Sequence, residues 1–122
     1  MKTLQLQEAL RAMAGQHGFL AAALVELDGG MVWHAEGAPD LCDAVVSAAS
    51  DYWRLYRRSQ PVFEKLGNLH VAMLFHRDGR ITVSACGPGM LLVIVTDPRQ
   101  QDIDWEQWKT AHARLEKLVS AF

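Results

Sequence analysis

Two stretches of the chain, 19–27 (FLAAALVEL) and 90–96 (MLLVIVT), are apolar at nearly every position rather than at every second one. A strand with one face in water alternates apolar with polar residues, whereas a strand covered on both faces has no reason to alternate. Both runs therefore belong at the centre of a sheet that carries cover above and below. This requirement excludes an open one-sided sheet and calls for helices to supply the cover.

The remaining strands read as half-exposed. Asp28-Gly29-Gly30 is hairpin chemistry, and 31–36 (MVWHAE) after it sets Met31, Trp33 and Ala35 against Val32, His34 and Glu36. Residues 69–77 (LHVAMLFHR) set Leu69, Val71, Met73 and Phe75 against His70, Ala72, Leu74 and His76. Asp78-Gly79-Arg80 then turns the chain into 81–87 (ITVSACG), with Ile81, Val83 and Ala85 on one face and Thr82, Ser84 and Cys86 on the other. Gly87-Pro88-Gly89 turns it again into the second central run.

Three helices are expected. The first spans 3–14, with Thr3 as N-cap and Leu6, Ala9, Leu10 and Met13 on one side. The last starts at Asp104, with Gln107 three residues on and Ile103 and Trp108 placed as a hydrophobic staple. Its apolar face is Trp105, Trp108, His112, Leu115 and Val119. The middle helix spans 40–58 with Asp40 as N-cap. The order α-β-β-α-β-β-β-α makes one α+β domain over 1–122, a five-stranded, mostly antiparallel sheet with helices on both faces. Ser59-Gln60-Pro61 ends the middle helix, and residues 62–68 connect it to the third strand as a ragged extra turn.

The middle helix carries more apolar surface than one core requires. At ~100° per residue, Leu41, Val45, Ala48, Tyr52 and Leu55 form one stripe, and Cys42, Val46, Ala49, Trp53 and Tyr56 form a second beside it. Together they cover roughly 200° of arc, where ~100° is usual. The rest of the arc is Asp43, Ser47, Ser50, Asp51, Arg54, Arg57 and Arg58. Either both stripes are covered inside one subunit, or one of them meets another chain.

Composition removes several functions. A net charge of −2 and a pI near 6.2 lack the positive field that general nucleic-acid binding needs. Gln5, Gln7, Glu8 and Arg11 interrupt any signal-peptide core, and the longest uncharged stretch, 81–96, is shorter than the ~20 residues of a membrane span. Cys42 and Cys86 sit in apolar patterns, as expected of core residues in a reducing, cytoplasmic setting. His70 and His76 share a strand face but lie roughly 20 Å apart at ~3.3 Å per residue, too far for one metal ion. Ser84 stands in no nucleophile-elbow motif, and His112 reads as a core or boundary histidine. Gly87-Pro88-Gly89 lacks the Lys-Ser/Thr that a phosphate loop requires. No cofactor, metal site or enzyme is expected.

In the order of these turns and apolar runs, the chain resembles the Roadblock/dynein-light-chain domain family over roughly residues 4–119. The stretch GFLAAALVELDGGMVWHAEG is similar to the family's opening hairpin, and KLGNLHVAMLFHRDGRITVSACGPGMLLVIVTDP to its later three strands. Longin-like and profilin-like folds share the element order. The polar loop 97–103 and the two tryptophans of the last helix depart from any family feature.

The resemblance implies a homodimer in which the middle helices pack antiparallel and an edge strand of each sheet pairs across the two-fold axis. Carried over, the interface is Cys42, Val46, Ala49, Trp53 and Tyr56 of helix 40–58 together with Leu69, Val71 and Met73 of strand 69–77. It further implies a non-catalytic bacterial scaffold for a Ras-like small GTPase or its machinery. Arg54, Arg57 and Arg58 are the cluster that would meet an acidic partner surface, or simply a solvated face at a helix C-terminus. The alternative is a small-molecule sensor of profilin-like or PAS-like type, its pocket opened by the small Ala21–Ala23.

Overall fold

The two all-apolar runs lie side by side in the middle of the sheet. The computed structural model describes residues 2–121. The chain runs α1 (Lys2–Ala14), β1 (Phe19–Glu26), β2 (Val32–Gly37), α2 (Ala44–Arg58), β3 (Val71–Phe75), β4 (Arg80–Ala85), β5 (Met90–Thr96) and α3 (Trp105–Ser120). The sheet order is β2-β1-β5-β4-β3, and every neighbouring pair is antiparallel. β1 and β5, paired for example as Ala22↔Ile94 and Ala23↔Val93, are the central strands that their composition demands.

Because successive side chains point to opposite faces, the two runs feed two separate cores. Ala22 and Leu24 of β1 join Leu92 and Ile94 of β5 beneath Leu6, Leu10 and Met13 of α1 and Leu115 of α3. Ala21, Ala23 and Val25 join Leu91, Val93 and Val95 beneath Val46, Ala49 and Trp53 of α2. A large side chain fully buried in either core contributes roughly 1.5–3 kcal/mol. Gly37 closes the β1–β2 pair where no other residue fits. Its φ is +121°, and a Cβ there would stand 2.4 Å from the Leu20 carbonyl oxygen.

Several expected boundaries shift. α1 already includes Lys2, so Thr3 lies inside the first turn, and the position before the helix falls on Met1, outside the described residues. α2 does not begin at Asp40. Pro39–Leu41 forms its own 3₁₀ turn, and Asp43, at φ −133° and ψ −88°, breaks the path before Ala44. In one continuous helix Leu41 would point outward with Leu55; the break lets both Leu41 and Cys42 pack on the α2-side core. The connection after α2 is a seven-residue 3₁₀ segment, Gln60–Leu66, rather than a single ragged turn. The third strand shortens to Val71–Phe75. At α3 the Asp104 carboxylate accepts from the Gln107 backbone N–H at 2.9 Å, as the capping pattern requires.

Candidate functional site: the α2 and β3 face

The stripes of α2 take the opposite places to those expected. Val46, Ala49 and Trp53 are 0%, 2% and 5% exposed, closed over by the subunit's own sheet. The physical reason is depth: Ala21 and Ala23 on the facing side of β1 leave room for an indole in that core. These three residues therefore cannot form a surface between chains. The outward residues are Ala48, Tyr52 and Leu55 from the other stripe, with Tyr52 and Leu55 56% and 59% exposed. Tyr56 is half-buried and stacks on Phe63, with ring centroids 4.7 Å apart, which fastens the 3₁₀ segment to α2. Cys42 is half-buried on the inner core, its thiol pushed up by burial and by Glu36 and Asp40 nearby.

Leu69 is also half-buried on that core, but Val71 and Met73 are exposed, as is Phe75. β3 is an edge strand, and its free edge has a definite polarity. The His76 N–H donates to the Gly79 carbonyl, and the same register pairs Leu74 with Ile81 and Ala72 with Val83. Hydrogen-bonded pairs alternate in an antiparallel ladder. The N–H groups of Ala72 and Leu74 thus face β4, while those of Val71, Met73 and Phe75 face away from the sheet. Among the described residues, ten large apolar side chains are left exposed, and seven of them lie between Tyr52 and Phe75. The exposed apolar surface is concentrated in one segment of the chain.

Arg54 is not a free cation. Its guanidinium donates to the Leu27 carbonyl at 3.0 Å and to the Ser50 hydroxyl at 2.9 Å, and it pairs with Asp51. Ser47 Oγ donates to the Gly30 carbonyl at 2.8 Å. The polar arc of α2 is therefore a clamp on the β1–β2 turn, where a solvated face was expected. Arg57 lies 3.8 Å from Asp28 and remains half-exposed, and Arg58 is exposed on the outer side beside Tyr52 and Leu55.

A second polar constellation escaped the sequence reading. Ser84 Oγ of β4 lies 3.1 Å from His112 Nε2 of α3, and His112 Nδ1 lies 3.1 Å from Glu116 Oε1. His112–Glu116 has the i, i+4 spacing that helices bring together; Ser84 enters from 28 residues away. These three side chains line a cleft of about 520 Å³ with Asn68, His70 and Trp108. Cys86, fully buried near Glu116, has its thiol pushed up to about 12 by burial and by that carboxylate, so it is inert as a nucleophile. Among the described residues no three His, Cys, Asp or Glu side chains are grouped to hold a metal ion, and no helix is long and apolar enough to cross a membrane.

No family model matches the sequence, and no curated protein matches it significantly. Solved structures do match. A Roadblock/LC7 domain from Streptomyces avermitilis is 23% identical, with 94% of this chain and 92% of that one covered at a TM-score of 0.72. Myxococcus xanthus MglB is 13% identical over 98% of this chain and 90% of its own, at a TM-score of 0.80. The gliding protein MglB from Thermus thermophilus is 15% identical over 98% and 89%, at 0.70. The chain has the Roadblock/LC7 fold. In this Roadblock/LC7 sheet the single-subunit structure leaves β3 and the outer side of α2 without cover, while β1 and β5 are closed on both faces.

Proposed function

We propose that the protein is a homodimeric scaffold that joins through α2 and β3 and presents the joined surface to a Ras-like small GTPase or its associated machinery. The observation that carries the reading is an unpaired strand edge together with the exposed apolar side chains between Tyr52 and Phe75, which stand on the outer side of α2 and, in β3, on the sheet face away from α2. Seven large apolar side chains in one segment are an unusual amount to leave in water, and an unpaired edge recruits foreign strands unless it is covered. A second copy covers both at once. The outward N–H groups of Val71, Met73 and Phe75 meet the partner's β3, and Tyr52 and Leu55 meet the partner's α2. An MglB of the same fold, 17% identical to this chain, has been solved in a tetrameric arrangement, in keeping with self-association on this scaffold.

The GTPase half of the reading rests on the family resemblance of the sequence. Arg57 and Arg58 are the cations left facing outward on α2 for an acidic partner, Arg54 being held by the β1–β2 turn. The scaffold role asks no catalysis of this face, and it is compatible with a bacterial cytoplasmic setting. Light scattering coupled to size exclusion at low micromolar concentration should give about twice 13.6 kDa. A monomeric mass at that concentration refutes the dimer. A dimer that retains no Ras-like GTPase, loaded with either GDP or GTP, refutes the partner.

A further inference from the structure

The Ser84–His112–Glu116 chain is arranged as a nucleophile, a base and a group that orients the base. We propose that Ser84 is an activated nucleophile and that the cleft between β3 and α3 takes small carboxylic esters. The catalytic groups lie on the opposite face of the sheet from α2, and the cleft they line borders the proposed dimer surface at Leu69 and Val71.

The geometry follows from the two hydrogen bonds. Glu116, as a carboxylate, can only accept, so Nδ1 of His112 carries the proton directed at it. Nε2 is then left as an acceptor, 3.1 Å from the Ser84 hydroxyl, within the reach expected of a base that takes a serine proton. The imidazole is held on a helix and packs against the Trp108 ring with centroids 5.3 Å apart, so its orientation is set before any ligand arrives. Ser84 is 3% exposed but lines the cleft, and Ala85 beside it is exposed.

A tetrahedral adduct also needs a donor for its oxygen. Trp108 lines the same cleft, and its buried indole N–H has no acceptor among the described residues. Buried donors are seldom left in that state. Because Nε1 itself has no solvent access, an ester carbonyl would meet it once the Trp108 ring turns toward the cleft. A volume of about 520 Å³ lies within the range for small-molecule sites.

The steps balance without any further reactant but water. Ser84 Oγ bonds to the acyl carbon, its proton passes to His112 Nε2, and the carbonyl electron pair moves to oxygen. As the carbonyl re-forms, the bond to the leaving alkoxide breaks, and His112 returns the proton to it. Water then attacks the acyl-serine, gives one proton to His112, and Ser84 leaves as the alcohol by recovering it.

A fluorophosphonate probe tests the nucleophile directly. Intact mass should show one adduct per chain, and peptide mapping should place it on Ser84. Ser84→Ala should remove it. His112→Ala should slow labelling by about 100-fold or more, the usual contribution of a positioned base. Glu116→Gln, at a half-exposed position that leaves the fold intact by circular dichroism, should slow labelling by a smaller factor. The same variants should rank identically in hydrolysis of p-nitrophenyl acetate. An unlabelled wild type, a label elsewhere than Ser84, or equal labelling rates in wild type and Glu116→Gln would each overturn the proposal.

Discussion

The two edges of the sheet are treated in opposite ways. β2 carries His34 and Glu36, and α1 fastens to both: Gln7 Nε2 lies 3.4 Å from His34 Nδ1, and Arg11 lies 3.5 Å from Glu36. β3, at the other edge, reads Val71-Ala72-Met73-Leu74-Phe75, without a charge, and three of its five side chains stand exposed. Charge and helical cover are the ordinary means of blunting an edge. One edge of this sheet uses both, and the other uses neither. The difference teaches that β3 is the unguarded edge of the sheet, which is why the proposed pairing is placed there.

The strongest way to break this comparison is to attack the core that supports both edges. Trp53→Ala should cost about 3–5 kcal/mol of folding stability, as large aromatic truncations in cores do, read as a lowered thermal midpoint. A variant with an unchanged midpoint that is only monomeric would mean that α2 presents Trp53 to its partner after all. Tyr52→Ala should do the reverse. The midpoint of the dilute protein should hold, while the dimer dissociation constant rises about 30-fold, the equivalent of about 2 kcal/mol for an interface aromatic. Met73→Pro removes one outward N–H of β3 and should weaken the dimer about fivefold, at about 1 kcal/mol for the lost bond. Ala72→Pro, whose N–H faces β4, should lower the thermal midpoint instead. If both prolines act alike on the dimer alone, the assigned polarity of the edge is wrong. The smallest effect is expected at the closed edge. Arg11→Ala should change stability by no more than about 1 kcal/mol, as exposed ion pairs do, and leave the dimer constant unaltered in analytical ultracentrifugation.

The parts of this molecule legible in its sequence are those governed by local periodicity. β1 and β5 declare their central position by refusing to alternate, and Asp104 declares the start of α3 by a cap that closes within three residues. The direction of α2 is not local. Both of its apolar stripes are acceptable to a core, and a helical wheel measures an arc without saying what lies beneath it. The depth left by Ala21 and Ala23 is reinforced by Ser47 and Arg54, which bind the β1–β2 turn, with the Ser50 hydroxyl accepting from Arg54, so that Val46, Ala49 and Trp53 are held onto the sheet. Arg54 reads as a surface cation because its acceptor, the Leu27 carbonyl, is backbone and lies 27 residues away. The Ser84–His112 contact is hidden for the same reason: a strand residue and a helix residue meet only once α3 has docked.

The pairing of β1 with β5 also sets a timetable. β1 ends at residue 26, yet its main neighbour along most of its length is not complete until residue 96. During synthesis, the β1–β2 hairpin waits some sixty residues, from Gly37 to Thr96, with an apolar strand that no local partner can enclose. The meander from β3 to β5 has only short turns to close, so it can assemble as a unit before it receives that hairpin. The late step is then the insertion of β5 beside β1, a long-range closure that seals both cores together. Until that moment 19–27 is the segment most exposed to wrong association, and conditions that delay the last strands should raise aggregation before they lower the stability of the finished protein.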